Sequence, residues 1–118
     1  PVVFQCVAAF QELIGIKKRF RISVPMVVHG YSKKAELAKQ LIENGFYLSF
    51  GKNLLRYPEL ESVFKSIPKD KFLLETDTIE EGIQEVYALA AKYKGFELNE
   101  LQEIVNKNYT TVFRNFSL

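Results

Sequence analysis

Apolar and polar positions fall into four repeats of one order: a short apolar run of β type that ends in a polar residue, then a stretch with helical spacing. The runs open at Val2, Met26, Phe46 and Phe72, and the last reads Phe72-Leu73-Leu74-Glu75-Thr76-Asp77. Strands alternating with helices at roughly 25-residue spacing predict successive βα units on a parallel sheet. Such sheets carry their chemistry at the C-terminal ends of the strands, where Gln5, His29, Glu75 and Asp77 stand.

In the first repeat, Pro1 to Val7 is a predicted strand, and Phe10, Leu13, Ile14, Ile16 and Phe20 recur at helical spacing. That helix ends in Lys17, Lys18, Arg19 and Arg21, which complement the negative end of its dipole. In a βα unit this end lies opposite the strand C-termini, so a solvated helix end is a more economical reading than a nucleic-acid patch. The second strand, Met26 to Val28, is entered through Pro25 and continues into His29-Gly30-Tyr31-Ser32. Ser32 is the predicted N-cap of a helix that buries Leu37, Ala38, Leu41 and Ile42 and stops at Asn44-Gly45. Phe46 to Phe50 form the third strand, ended by Gly51. Pro58 suits the first turn of the next helix, which presents Leu60, Val63, Phe64 and Ile67 before Pro68 breaks it.

The fourth strand is expected over Phe72 to Glu75. Thr78 with Glu81 is a capping-box signal for a helix with Ile83, Val86, Tyr87 and Ala90 on one face, ended by Gly95. Asn99 with Gln102 opens a final helix carrying Leu101, Ile104, Val105, Val112 and Phe113. No linker or low-complexity segment interrupts the pattern, so one domain over residues 1–118 is expected.

Length changes the picture, because a (β/α)8 barrel takes about 250 residues and this chain has 118. It amounts to half a barrel, and its start at Pro1, entering a strand at once, reads as a fragment or processed piece. A composition 47% hydrophobic and 25% charged suffices for one core. No apolar run approaches the ~20 residues of a membrane span and no signal-peptide pattern is present, so no membrane and a cytoplasmic location are the default. Cys6 is the only cysteine, which excludes an intrachain disulfide and a zinc ribbon and reads as a buried strand thiol. A net charge of +2 does not by itself argue for nucleic acid.

His29 is the sole histidine, placed directly after a buried strand at the ligand-binding edge. Lone histidines are more often structural, but this position is where a site would be built. Asp77 emerges at the same edge, although it could instead cap the following helix. Side chains alternate along a strand, so Glu75 and Asp77 lean the same way if the strand runs through both. Imidazole and carboxylate together form part of a metal-hydrolase site, with fewer donors than the ~3 protein ligands of catalytic zinc. Lys33 and Lys34, and likewise Gly51 and Lys52, stand where a phosphate would be met, though a solvated first turn explains the lysines as well.

Val27-Val28-His29-Gly30-Tyr31-Ser32, Leu41 through Gly45-Phe46-Tyr47-Leu48-Ser49-Phe50-Gly51, and Ile67-Pro68-Lys69-Asp70-Lys71-Phe72-Leu73-Leu74-Glu75-Thr76-Asp77 resemble the C-terminal half of TatD-family metal-dependent deoxyribonucleases. These are members of the amidohydrolase superfamily. The resemblance extends to Asn106-Lys107-Asn108 and Val112-Phe113, similar to the family's terminal helix. It implies an α/β fold forming the C-terminal half of a TIM (β/α)8 barrel, four parallel βα units plus a terminal helix. It further implies hydrolysis of DNA phosphodiesters by metal-activated water, with zinc, magnesium or manganese as the divalent cation. His29 matches the sixth-strand metal ligand, and Asp77 the eighth-strand aspartate that binds metal and takes the proton of the attacking water. Gln5 stands where the fifth-strand histidine is expected, a degenerate ligand position, and Ala8 and Ala9 follow where relatives often carry a basic residue. Glu75 is placed to pack or hydrogen-bond behind the ligands. The family's remaining ligands, an HxH pair and a fourth-strand glutamate, have no counterpart here, so the isolated chain is expected to be inactive and to need an N-terminal half-barrel.

A non-catalytic alternative is a half-barrel module that associates with a second copy of itself or with a complementary half. Its inner sheet face and two edges, Pro1–Val7 and Phe72–Thr76, would be exposed and invite pairing. A third reading, an open flavodoxin-like sheet binding a nucleotide, lacks any GxGxxG or GxxxxGK[ST] to cradle phosphates.

Overall fold

The computed structural model describes residues 2–5, 10–21, 24–75 and 83–113. Cys6, Ala8, Ala9, Thr76, Asp77, Thr78 and Glu81, on which several expectations fell, lie outside the described residues. The order is β1 (Val2–Gln5), α1 (Phe10–Arg19), β2 (Met26–His29), α2 (Ala35–Glu43), β3 (Phe46–Phe50), α3 (Asn53–Arg56), α4 (Leu60–Ser66), β4 (Phe72–Leu74), α5 (Ile83–Lys94) and α6 (Leu98–Phe113). All three strand pairings are parallel and the sheet order is β1-β2-β3-β4. Strands laid down in sequence order by right-handed crossovers place their helices on one face. A doubly wound sheet reverses order at a switch point, and the described strands contain no reversal.

Alternation along the strands divides the core. Met26, Val28, Phe46, Leu48, Phe50, Phe72 and Leu74 point into the main cluster with Ala38, Leu41, Leu60, Phe64, Val86 and Ala90. Val27, Tyr47 and Leu73 point to the opposite face, where they meet Val112, Tyr109 and Phe113 at the end of α6. Coverage on both faces is why β2, β3 and β4 read as nearly continuous apolar runs. It also corrects one expectation: Val27, Tyr47 and Leu73 are only 3%, 8% and 2% exposed, so the sheet face expected to be exposed is covered at these positions. The β4 edge is altered too, because the amide of Asn108 donates to the carbonyls of Lys69 (2.9 Å) and Phe72 (2.8 Å).

Local signals explain the helix ends. Gly45 and Gly95 follow α2 and α5 with φ of +86° and +72°, the left-handed region that glycine enters without a Cβ clash. Ser32 does not cap α2. The helix begins three residues later at Ala35, after Lys34, whose carbonyl accepts a 2.6 Å bond from the Tyr31 hydroxyl. Helix α3 has no counterpart in the predicted elements, and Pro58 stands in the turn before α4. In α1, Ile14 is buried, whereas Ile16, and Phe20 just beyond the helix, are 47% and 65% exposed. Among the described residues, no helix is long and apolar enough to cross a membrane.

Candidate functional site

The parallel register brings the strand ends level. Gln5 pairs with His29, the Tyr31 amide donates to the Ser49 carbonyl at 2.9 Å, and the Glu75 amide donates to the Phe50 carbonyl at 2.9 Å. By alternation His29 and Ser49 lie on the same face as Val27 and Tyr47, on the far side of the sheet from the main core.

Here the Glu75 side chain turns back across the sheet. Its Oε2 accepts a 2.8 Å hydrogen bond from the Gly30 amide, and its Oε1 lies 3.6 Å from His29 Nε2. That separation is outside hydrogen-bonding range but close enough for the carboxylate to attract an imidazolium. The two side chains are 36% and 16% exposed, so the carboxylate is the more enclosed partner. Its path crosses Gly51. A Cβ at that position would stand 2.7 Å from the Glu75 Cδ and nearer still to Oε1, so only glycine leaves the route open.

Gly30 itself has φ +68°. Its peptide groups are held from two sides: the amide by Glu75, and the carbonyl by Asn53 Nδ2 at 3.3 Å. Asn53 was not singled out by sequence reasoning, and its only signal is its place at the start of a helix too short to show periodicity.

The predicted site residues thus separate into groups. His29 and Glu75 are brought together. Gln5 joins them at the level of backbone register, and Asp77 lies outside the described residues. Lys33 and Lys34 are exposed and line a cavity of about 700 Å³ with Ser32, Glu59, Leu60 and Ser62, between the start of α2 and α4. Neither His29 nor Glu75 lines that cavity. Among the described residues, no cluster of three His, Cys, Asp or Glu side chains could hold a metal. An imidazole and a carboxylate are donor types that suit a divalent cation, and one of each falls short of the ~3 protein ligands of a catalytic zinc.

The sequence matches the family described as TatD related DNase over residues 1–114. It is 32% identical over 83 residues to the Bacillus subtilis protein named uncharacterized metal-dependent hydrolase YabD, covering 65% of this chain and 31% of that protein. It is 28% identical over 99 residues to the putative deoxyribonuclease tatdn3-B of Xenopus laevis, covering 75% of this chain and 38% of that one. Among solved structures, the TatD family hydrolase of Entamoeba histolytica superposes with a TM-score of 0.80 at 18% identity, over 93% of this chain and 49% of that one. The TatD homologue YJJV of Escherichia coli superposes with a TM-score of 0.79 at 18% identity, over 97% and 50%. The matches therefore span about a third of the curated relatives and about half of the solved chains. A singly wound parallel sheet, His29 at its C-terminal edge and a family match over nearly the whole sequence agree: the chain belongs to the TatD related DNase family.

Proposed function

We propose that residues 1–118 form one domain, the C-terminal half of a (β/α)8 barrel, and contribute part of the metal site of a cytoplasmic hydrolase acting on DNA phosphodiesters. The observation that carries this reading is the meeting of His29 and Glu75 at the C-terminal edge of a sheet wound in one direction. His29 offers a neutral ring nitrogen to the cation, and Asp77 offers a carboxylate that also accepts the proton of the attacking water. Zinc, magnesium or manganese held there supplies a nucleophile at neutral pH by acidifying water. Gln5 offers only an amide oxygen, a weak donor to transition metals, beside His29 in the register. Two strong donors fall short of the ~3 protein ligands of catalytic zinc. The missing donors would come from the N-terminal half of the barrel, and Lys33 and Lys34 meet phosphates from the rim.

The test is calorimetric titration of zinc into the purified chain, with Asp77→Ala as the control. Binding near ~1 μM, about −8 kcal/mol, abolished in the variant, is the expected result. Absence of binding to the parent chain overturns the site. Phosphodiester hydrolysis is expected only when an N-terminal half-barrel is added, and hydrolysis by the chain alone contradicts the split-site scheme.

One observation favours a second reading. Glutamine at a ligand position suits a half-barrel that has kept its architecture and lost its chemistry, pairing with a second copy through β1. Light scattering separates the two, since a strictly monomeric chain counts against the association module.

A further inference from the structure

We infer that Glu75 is the positioning residue of this site: its carboxylate, laid over the bare Cα of Gly51, fixes the Gly30 turn and thereby the presentation of His29. The inference rests on the reading of His29 as a cation ligand. Its geometry is independent of any bound metal.

Three observations converge. Oε2 accepts from the Gly30 amide at 2.8 Å, next in sequence to His29, so the end of β2 is tied to the end of β4 across the intervening strand. Oε1 lies 3.6 Å from His29 Nε2, so the same carboxylate sets the field in which the imidazole orients. The space it occupies exists only because residue 51 lacks a side chain. A carboxylate that orients a ligating histidine is a recurrent device at metal centres, and its loss weakens metal affinity by about 10- to 100-fold. Here the device is coupled to a backbone hydrogen bond, so one side chain controls both the ring and the peptide that carries it.

Glu75→Gln retains an oxygen acceptor for the Gly30 amide and loses the charge, whereas Glu75→Ala loses both. Gly51→Ala expels the carboxylate without touching its chemistry. The first readout needs no metal: hydrogen exchange of the Gly30 amide and the ¹⁵N shifts of the His29 ring, followed by NMR in this chain. In Glu75→Ala and Gly51→Ala the Gly30 amide should exchange at least ~10-fold faster and the His29 ring signals should shift, while Glu75→Gln keeps the Gly30 protection. Gly30 protection unchanged in both Glu75→Ala and Gly51→Ala overturns the inference. If Glu75→Ala fails to fold, Gly51→Ala and Glu75→Gln still decide it.

The second readout is zinc affinity, expected to fall about 10- to 100-fold in Glu75→Ala and less in Glu75→Gln. Loss of Gly30 protection with no zinc binding even in the parent chain would refute the metal site and leave the positioning geometry standing. An affinity unchanged in Glu75→Ala would refute the positioning role and leave the metal site standing.

Discussion

At the scale of single residues, Lys94 shows how burial and charge compete in this fold. Its ammonium donates to the carbonyls of Ile67 and Lys65, which end α4, and lies 5.0 Å and 5.5 Å above the rings of Phe64 and Phe72. Burial pushes its pKa down to about 8. Because the folded value lies below the unfolded one, the unfolded chain binds more protons between about pH 8 and lysine's ordinary 10.5, and stability rises with pH across that window. Below it both states are protonated and the slope vanishes. Urea melts at several pH values from 7.5 to ~10 should show a gain of about 1 kcal/mol, reduced because Lys94 is only half-buried, and no gain in Lys94→Met. The phenol of Tyr87, pushed up by burial and then by Tyr109, acts in the opposite sense above ~pH 10. Lysine at this position carries no sequence signal, because the carbonyls it meets belong to residues 27 and 29 positions away.

At the scale of elements, legibility followed length and local chemistry. The strands were readable because nearly continuous apolar runs are what two covered faces demand, and Gly45 and Gly95 marked helix ends by a conformation that glycine enters easily. Helix α3 was not readable, since four residues are barely one turn and give no period. Ser32 failed as a cap because Tyr31 anchors the loop and delays the helix to Ala35. The site was legible only as residue types at strand ends: His29 and Glu75 could be placed at one edge, but a bond between Gly30 and a side chain 45 positions later leaves no local trace. Asn108 was equally hidden. Buried on α6, it closes off the outward carbonyl of the edge strand β4, so Asn108→Ala should leave that group unpaired. A loss of about 1–3 kcal/mol by chemical denaturation is expected, with Asn108→Asp at least as costly because a carboxylate would face carbonyl oxygens.

At the scale of the whole molecule, the end of α6 lies on the sheet face opposite the main core and shields Val27, Tyr47 and Leu73 from water. Val112 is fully buried there, whereas its neighbour Thr111 is exposed. Val112→Asp should therefore destabilise the chain by on the order of 3 kcal/mol, raise the binding of a hydrophobic dye and promote concentration-dependent association. Thr111→Asp should change none of these. Dye binding unaltered by Val112→Asp would contradict the shielding.

The grip on the Gly30 peptide sets a limit on how this protein can be divided. Its amide is held by a side chain at the end of β4 and its carbonyl by one from the helix after β3. Each βα unit could be exchanged for a homologous one and still add a strand to the sheet. The turn beside His29 would keep its shape only if the stretch from Met26 to Glu75 travelled together. The indivisible stretch thus spans three successive strands, and recombination inside it would preserve the sheet while scrambling the turn beside His29.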